Sequence, residues 1–457
     1  MLIRFNVGNF LSFNSVEEFS MISGKVRSKM NHIYSDSKLK LLKFAALFGA
    51  NASGKSNLVS AIDFARETVV LGLPDMHTMK YFKGYEANKN EKSYFEFEVK
   101  IGSSYYAYGF ELLLSDSSIK SEWLIELDPI GNDRVIFTRD VESGQYSVDN
   151  YFKDKKLISK LNLYAEDVRE DDTILFLKIM NQNKDNFYNE NKEAAILKEM
   201  FRWIEINLDV NYPDRPISDY SYFMTDDNIN EISRVISAFG TGITKFRVVD
   251  VAPESIFADL PRKLAQDIIS KLEKSSAEKK KKDEDSVSRI LIRSSNKDFM
   301  ILEIDNEGEI SSKTIKFNHG NDNVLFSLSE ESDGTVRILD LLEILLDRKK
   351  DKTYIIDEID RCLHPQLTYK FVETFLELAE SRNIQLIVTS HESRLLDFDL
   401  LRRDEIWFVE KNTNGETRLY SLEEYNSRFD QKIDKAYLEG RYGGVPLFNT
   451  IFPIKGD

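Results

Sequence analysis

The stretch that decides the fold is Gly49-Ala50-Asn51-Ala52-Ser53-Gly54-Lys55-Ser56, which fits the pattern GxxxxGKS. An apolar run, Leu41 to Phe48, precedes it and predicts a buried strand. After it, residues 57–68 carry apolar side chains at helical spacing. A strand, a glycine-rich turn and a helix form the context that a phosphate-binding loop (P-loop) requires.

The P-loop predicts a nucleotide site for physical reasons. Glycine at positions 49 and 54 lets the backbone wrap closely around phosphate, and the helix N-terminus adds its positive dipole end. Lys55 would bring a charge to the β- and γ-phosphates, and the Ser56 hydroxyl can ligate Mg²⁺. The predicted nucleotide-binding residues are therefore Gly49, Ala50, Asn51, Ala52, Ser53, Gly54, Lys55, Ser56 and Asn57. The alternative, a chance GKS turn before a helix, is disfavoured by the strand context.

A second motif, which is acidic, lies in residues 352–360, which read KTYIIDEID. Its apolar core predicts a short buried strand that ends in Asp357 and Glu358, as in a Walker B motif. Asp357 can hold Mg²⁺, usually through water. Glu358 is placed to orient or deprotonate an attacking water molecule. Such a strand is common by chance alone, but its pairing with a P-loop favours the functional interpretation.

Residues 384–389 (IQLIVT) predict another buried strand, and His391 follows its end. The carboxyl edge of a parallel sheet is where ligands bind, so His391 could sense the γ-phosphate. The alternative is a structural histidine, the commoner case. Five histidines and one cysteine with no ligand-like spacing argue against a cofactor-type metal centre.

Residues 328–337 read LSEESDGTVR and precede a predicted helix. Serine and glycine at a helix N-terminus can form an anion site. Because the P-loop already holds the phosphates within one subunit, a second such turn suggests contact with a nucleotide on a partner subunit. The alternative is an ordinary capped helix start.

Bulk properties restrict the class of protein. The 457 residues suggest about three domains, and the net charge of −15 argues against a surface that is basic throughout. The lysine run Lys279–Lys282 is most simply interpreted as a solvated loop, but contact with phosphate is the alternative, so DNA or RNA stays open as a partner. The single cysteine, Cys362, is interpreted as a packing residue and predicts a reducing, cytoplasmic location. No apolar run is long enough to span a membrane, and no signal peptide is recognisable.

The motifs together resemble an ABC-type ATPase head of the SMC/RecF class. The resemblance is strongest to the single-chain bacterial ATPases of the RloA and abortive-infection (AbiL-like) group, often labelled AAA-type ATP-binding proteins. It rests on NFLSF (residues 9–13), GANASGKSN, EESDGT, DEIDRCLHP, TSH and the tail YLEGRYGGVP (residues 437–446), which occur in that order. It covers nearly the whole chain and is tightest over 1–70 and 320–450.

Alternating apolar and charged residues, as in 93–100 (SYFEFEVK), with turn signals between such runs predict an antiparallel sheet over roughly 90–150, and the pattern from about 155 to 285 is helical. The resemblance implies an α/β P-loop NTPase fold with a mixed parallel core sheet, to which these segments add an antiparallel β-subdomain and an inserted helical region. The expected division is 1–154 (the P-loop and the antiparallel sheet), 155–285 (the helical insertion) and 286–457 (the remaining motifs). Tyr105, Tyr106 and Tyr108 of the antiparallel sheet are expected to be a half-buried strand face rather than a base-stacking platform.

The resemblance also implies a function. Two heads would dimerise around two ATP molecules with Mg²⁺, and Ser332 and Gly334 would contact the γ-phosphate held by the other head. Asp360 takes the D-loop-like position and His391 that of the switch histidine, while Lys55, Glu358 and His391 would carry catalysis. Such ATPases commonly work with a separately encoded effector, often a nuclease, in anti-phage defence. The alternatives are an ATPase of DNA repair or recombination, and an ATP-binding scaffold with negligible turnover.

Overall fold

The computed structural model describes residues 1–148, 151–213, 226–252, 266, 268–270, 272, 288–293, 299–305, 308–321, 323–346, 351–425 and 433–442. The pattern of residues 260–272 predicts an amphipathic helix. Most of these residues lie outside the described ones, as do the lysine run Lys279–Lys282 and residues 443–446 of the tail.

The chain forms two compact units. The first unit comprises Met1–Asp214, Lys349–Asp360 and Phe371–Asp457, and the second comprises Arg215–Arg348 and Arg361–Lys370. The three-part division at residues 154 and 285 stays a prediction about how the chain is organised.

The strands of the described residues are numbered in chain order. They are β1 (Leu2–Gly8), β2 (Glu17–Ser20), β3 (Ile33–Ser35), β4 (Lys40–Leu42), β5 (Phe44–Phe48), β6 (Ser93–Ile101), β7 (Ser104–Leu113), β8 (Ser118–Leu127), β9 (Arg134–Asp140), β10 (Gln145–Ser147), β11 (Leu208–Asn211), β12 (Lys245–Val251), β13 (Ser288–Arg293), β14 (Phe299–Ile304), β15 (Ile310–Asn318), β16 (Thr353–Ile356), β17 (Gln385–Thr389), β18 (Ile406–Lys411) and β19 (Thr417–Ser421).

The α-helices of the same residues are numbered likewise. They are α1 (Lys55–Val70), α2 (Lys155–Asp167), α3 (Phe176–Ile179), α4 (Asp185–Glu190), α5 (Ala195–Arg202), α6 (Asp226–Ala238), α7 (Asp333–Leu346), α8 (Pro365–Ala379) and α9 (Ile433–Leu438).

The core sheet of the first unit carries the motifs. Its strand order is β11-β16-β17-β5-β18-β19, in which the first five strands run parallel and β19 is antiparallel to β18. Strands β5, β16 and β17 are buried along their whole length, as expected for parallel strands covered on both faces. Their carboxyl ends meet at one edge of the sheet.

The first unit also contains an antiparallel sheet of seven strands, in the order β10-β9-β8-β7-β6-β1-β2, and the two-stranded sheet β3-β4. In β6 every second side chain is buried, which is the alternation that the sequence predicted. Tyr105, Tyr106 and Tyr108 lie in β7, as expected, but they are 4%, 7% and 0% exposed, so they are fully buried rather than half-buried. The predicted α/β P-loop fold, with a mixed core sheet and an antiparallel subdomain, is confirmed.

Gln385 joins the two sheets of the first unit. Its buried side-chain oxygen accepts from the Leu2 backbone N–H (2.6 Å) and from the Thr353 hydroxyl (3.0 Å). Its amide nitrogen donates to the carbonyl groups of Leu2 (2.9 Å) and Leu42 (3.0 Å). A buried amide with all of its hydrogen-bonding capacity used ties β1 to the core strand β17.

Apolar residues at helical spacing predict a helix over residues 194–208, but in the structure this helix ends earlier. Helix α5 passes into a π-helical turn, Trp203–Asn207, and residues from Leu208 onward form β11. The reason is tertiary: β11 pairs in parallel with β16, and the Asp357 N–H donates to the Asn211 carbonyl (2.9 Å). Sheet pairing with a distant strand outweighs local helical preference here.

The second unit contains a four-stranded antiparallel sheet in the order β12-β15-β14-β13, together with α6 and α7. Apolar runs at residues 290–292, 299–304 and 314–317 predict three strands, and all three lie in this sheet as parts of β13, β14 and β15. Gly240 has a φ of 67° just after α6, which is the left-handed conformation expected of a glycine that ends a helix.

Candidate functional site

The P-loop connects β5 to α1 at the carboxyl edge of the core sheet. Gly54 has a φ of 116°, which favours glycine strongly. A Cβ atom on Gly49 would lie 2.4 Å from the Val409 carbonyl oxygen and 2.6 Å from the Ser53 hydroxyl oxygen. Both glycines of the motif are therefore required by the backbone and its close surroundings.

The remaining predicted P-loop residues occupy the loop and the first turn of α1. Ala50, Asn51, Ala52 and Ser53 form the loop, while Lys55, Ser56 and Asn57 begin the helix. Ala52 also adopts a left-handed backbone, with a φ of 63°. The Ser53 hydroxyl is buried and has no hydrogen-bond partner among the described residues.

Lys55 lies inside the loop. Its side chain is buried, and its ammonium group donates to the carbonyl oxygens of Gly49 (2.7 Å) and Ala50 (3.1 Å). Burial lowers the pKa of Lys55 to about 8, while the carboxylates of Asp357, Asp360 and Glu358 favour the charged form. The lysine thus faces three carboxylates from the acidic motif.

Asp357 joins the acidic motif to the P-loop. One of its carboxylate oxygens accepts from the hydroxyl groups of Ser56 (3.1 Å) and Thr389 (2.6 Å). Thr389 in turn accepts a hydrogen bond from the Glu358 backbone N–H (2.8 Å). Residues at the ends of β16 and β17 and at the start of α1 therefore form one hydrogen-bonded set.

Glu358 has an uncommon backbone. Its φ of 47° places a non-glycine residue in the left-handed region, which costs free energy and is found at functional sites. The hydrogen bond to Thr389 holds the peptide in this conformation. No individual role was predicted for Thr389. The available signal was a hydroxyl residue at the carboxyl end of a core strand, directly before Ser390 and His391.

His391 and Asp360 lie at the same edge. The His391 backbone N–H donates to both carboxylate oxygens of Asp360 at 3.2 and 3.3 Å. Burial, followed by the positive charge of Lys55, lowers the pKa of the His391 imidazole. A neutral imidazole near pH 7 can donate or accept a proton at this edge.

A cavity of about 370 Å³ opens beside the first turn of α1. Ser12 and Asn57 contribute to its wall on the P-loop side, and Tyr81, Phe82 and Lys83 contribute aromatic and basic groups. Its size and its mixed apolar and polar lining suit a heterocyclic ligand of moderate size.

Ser332 and Gly334 belong to the second unit. The Ser332 hydroxyl accepts from the Thr335 N–H (3.1 Å), so Ser332 caps the start of α7. A Cβ atom on Gly334 would lie 2.8 Å from the Cys362 carbonyl oxygen. Cys362 itself is exposed, with a φ of 64°, so its interpretation as a packing residue is wrong; its backbone conformation turns the chain before α8.

A metal ion would have few protein ligands here. Within the described part of the chain, no group of three or more histidine, cysteine, aspartate or glutamate side chains is arranged to hold one. Ser56 and Asp357 nevertheless present two oxygen ligands 3.1 Å apart. This pair fits Mg²⁺, which keeps several waters and takes one or two carboxylates plus substrate phosphates.

Comparison with known proteins identifies the family. Residues 44–397, more than half of the chain, match the family described as "AAA domain, putative AbiEii toxin, Type IV TA system". The chain belongs to this family, and both family and fold are those of nucleotide-binding ATPases. No curated protein matches the chain significantly. No helix among the described residues is long and apolar enough to cross a membrane.

Several solved structures are similar over most of their length. An SmcHead bound to the C-winged helix domain of ScpA is 14% identical, with a TM-score of 0.42 over 92% of this chain and 97% of the other. An SMC head domain from Thermotoga maritima is 12% identical, with a TM-score of 0.34 over 92% and 98%. An Smc head domain with an extended coiled coil, bound to the C-terminal domain of ScpA derived from Pyrococcus furiosus, is 15% identical, with a TM-score of 0.37 over 92% and 96%.

Proposed function

We propose that the chain is a magnesium-dependent ATPase that hydrolyses ATP to ADP and phosphate at the P-loop edge of the core sheet. The observation that carries the proposal is the hydrogen-bonded set of Ser56, Asp357, Thr389 and the Glu358 backbone. These hydrogen bonds connect the P-loop, the two oxygen ligands of Ser56 and Asp357, and the residue Glu358. Phosphoryl transfer to water needs a phosphate-binding loop, a metal site and a carboxylate in this combination.

The proposed roles follow from the chemistry of each group. Backbone N–H groups of the P-loop and the Lys55 ammonium would bind the phosphates, and the neighbouring cavity would take the base and ribose. Ser56 and Asp357 would hold Mg²⁺, which supplies charge stabilisation at the phosphate oxygens. Glu358 would orient the attacking water and accept its proton, and His391, neutral near pH 7, would contact the γ-phosphate.

We further propose that the active form is a dimer with two nucleotides between its heads. Each chain has one P-loop, while Ser332 at the start of α7 is exposed and can meet a second molecule. Ser332, Gly334 and Asp360 would then complete the site of the partner subunit. In this proposal the turn at Ser332 has a second role besides capping its own helix, which is contact with the nucleotide of the partner subunit.

The biological setting is proposed from the resemblance of the motifs. Their order suggests the RloA and AbiL-like group, in which an ATPase works with a separately encoded effector, often a nuclease, in the cytoplasm during anti-phage defence. The family description, which names a toxin of a type IV toxin–antitoxin system, is compatible with a role in such a two-component system.

An ATPase assay tests the proposed activity. Phosphate release should require Mg²⁺, stop with EDTA, and disappear in Glu358→Gln while nucleotide binding persists. Absence of both binding and turnover in the wild-type protein would contradict the proposal. Binding with no measurable turnover would instead favour an ATP-binding scaffold. Strong stimulation by DNA that falls steeply with salt would favour a role in repair or recombination over the defence setting.

A further inference from the structure

Two residues from the C-terminal part of the first unit contact the P-loop from outside. Thr417, at the start of β19, is 2% exposed, and its hydroxyl lies 2.8 Å from the Ser53 carbonyl oxygen. The ring of Tyr437, in α9, packs against Phe48, the residue directly before the loop, with centroids 6.2 Å apart, and its hydroxyl is in reach of the Gly49 backbone N–H. We propose that Thr417 and Tyr437 are positioning residues that hold the two ends of the P-loop in its nucleotide-binding conformation, an inference that rests on the proposed ATP site.

Thr417 stands in a chain of hydrogen bonds. The Asn57 side-chain amide lies 2.6 Å from the Ser12 hydroxyl oxygen, which lies 2.7 Å from the Thr417 hydroxyl oxygen. The Thr417 backbone N–H also donates to the Ser12 carbonyl (2.8 Å). The NFLSF segment, β19 and the P-loop are therefore connected through two hydroxyl groups.

The Thr417 hydroxyl is the donor in this chain. The Ser53 carbonyl can only accept, so Thr417 donates to it, and the same hydroxyl is also placed to donate to the Ser12 hydroxyl oxygen. The Ser12 oxygen accepts from the amide of Asn57 as well. Removing the Thr417 hydroxyl therefore leaves the buried Ser53 carbonyl and the Ser12 hydroxyl without this partner.

This chain acts on the phosphate-facing side of the loop through the peptide bond. In a planar trans peptide the carbonyl and the following N–H point in opposite directions. Since Thr417 holds the Ser53 carbonyl, the Gly54 N–H points away from Thr417, where a phosphate oxygen can accept it. A Cβ atom on Gly54 would lie only 2.3 Å from the Thr417 hydroxyl oxygen, which shows how closely β19 supports the loop.

Tyr437 holds the other end of the loop and gives a role to the described part of the tail. Its ring stacks on Phe408 of β18, with centroids 5.6 Å apart and planes at 17°. The ring of Tyr442 stacks on Phe408 as well, at 5.5 Å and 10°. The tail is thus packed against the core sheet, and this packing places Tyr437 against Phe48, directly before Gly49, the first residue of the loop.

The test compares Thr417→Val, which has the same shape without the hydroxyl, with Thr417→Ser, which keeps it. We expect Thr417→Val to raise the Kd and KM for ATP about tenfold with a much smaller change in kcat, because one buried hydrogen-bonded group is lost. Thr417→Ser should restore binding to within about twofold of wild type. Tyr437→Phe should weaken binding by a few fold at the opposite end of the loop.

Thr353→Val is the matched control. It removes another buried threonine hydroxyl of the core sheet, the one bonded to Gln385, and should lower the thermal unfolding midpoint without changing the Kd. If Thr417→Val does not fold, Ser12→Ala interrupts the same chain and should weaken ATP binding in the same direction.

The possible results distinguish a failure of the proposed ATP site from a failure of the positioning role of Thr417 and Tyr437. Wild-type protein that binds no ATP would contradict the proposed function itself. Wild-type protein that binds ATP, with Thr417→Val and Tyr437→Phe binding equally well, would overturn the positioning role and leave the ATP site standing. Equal loss of binding in Thr417→Val and Thr353→Val would also overturn it, since general destabilisation would then be the cause.

Discussion

The molecule contains two turns that combine serine, glycine and a helix start, and they are built differently. The P-loop places Lys55 at the first position of α1, whereas the turn at Ser332 places Asp333 at the first position of α7. In the P-loop, the backbone carbonyls are held by Lys55 and Thr417. In the other turn, the Ser332 hydroxyl bonds to the N–H of Thr335 in its own helix.

The difference shows that a helix N-terminus alone does not define a phosphate site. Only the P-loop pairs the helix end with a buried cation, a left-handed glycine and a neighbouring carboxylate. The turn at Ser332 is a capped helix that carries a negative charge beside it. We therefore expect primary nucleotide binding at the P-loop, and only a secondary contact, dependent on a second molecule, at Ser332.

The largest expected effect concerns the charged residue that begins each helix, Lys55 in α1 and Asp333 in α7. Lys55→Ala should weaken ATP binding about 100-fold, because a charged hydrogen bond to phosphate is lost in a partly buried site. Asp333→Asn should leave binding by the isolated chain unchanged. Isothermal titration calorimetry checks both. Lys43→Ala, at the opposite end of β5, is the control for loss of a buried lysine that donates to the Ala379 carbonyl (2.5 Å).

The second expected effect concerns turnover rather than binding. Glu358→Gln should lower kcat by at least about 100-fold, because the amide cannot accept the proton of the attacking water. The Kd for ATP should remain close to that of the wild type. Glu377→Gln, on the exposed side of α8, is the matched control and should retain full activity. Unchanged turnover in Glu358→Gln would remove this residue from the mechanism.

The third expected effect compares alanine substitutions of the two glycines, Gly54 in the P-loop and Gly334 in the turn at Ser332. Gly54→Ala adds a Cβ at a φ of 116° and only 2.3 Å from the Thr417 hydroxyl oxygen, so we expect about tenfold or greater loss of ATP binding. Gly334→Ala meets the Cys362 carbonyl at 2.8 Å without a positive φ and should alter only the turn of the second unit. Similar binding defects in both variants, measured by nucleotide fluorescence, would contradict the distinction between the turns.

The smallest expected effect concerns Ser332. Ser332→Ala should lower the free energy of unfolding by about 1 kcal/mol, because the cap of α7 is lost. Ser332→Asp keeps a good cap and should preserve stability, while its charge would repel a γ-phosphate and reduce ATP-dependent association. If Ser332→Asp associates and hydrolyses ATP like the wild type, the turn is a cap and nothing more.

The sequence predicted those parts of the site that depend on local backbone. Short apolar runs next to glycine or acidic residues mark the P-loop, β16 and β17, so these elements can be located from a single sequence. Thr417 could not be found in this way, since it is 405 positions from Ser12 and meets it only through the sheet. Strand β11 was missed for a similar reason, because its extended form depends on pairing with β16.

The most direct test of the account is the molecular mass of Glu358→Gln in solution, measured by light scattering with and without ATP and Mg²⁺. We expect a monomer of 53.0 kDa without nucleotide and twice that mass with it, and this increase should be lost in a variant that also carries Ser332→Asp. A protein that binds ATP through its P-loop but keeps the same mass under both conditions would contradict the proposed role of Ser332 and Gly334.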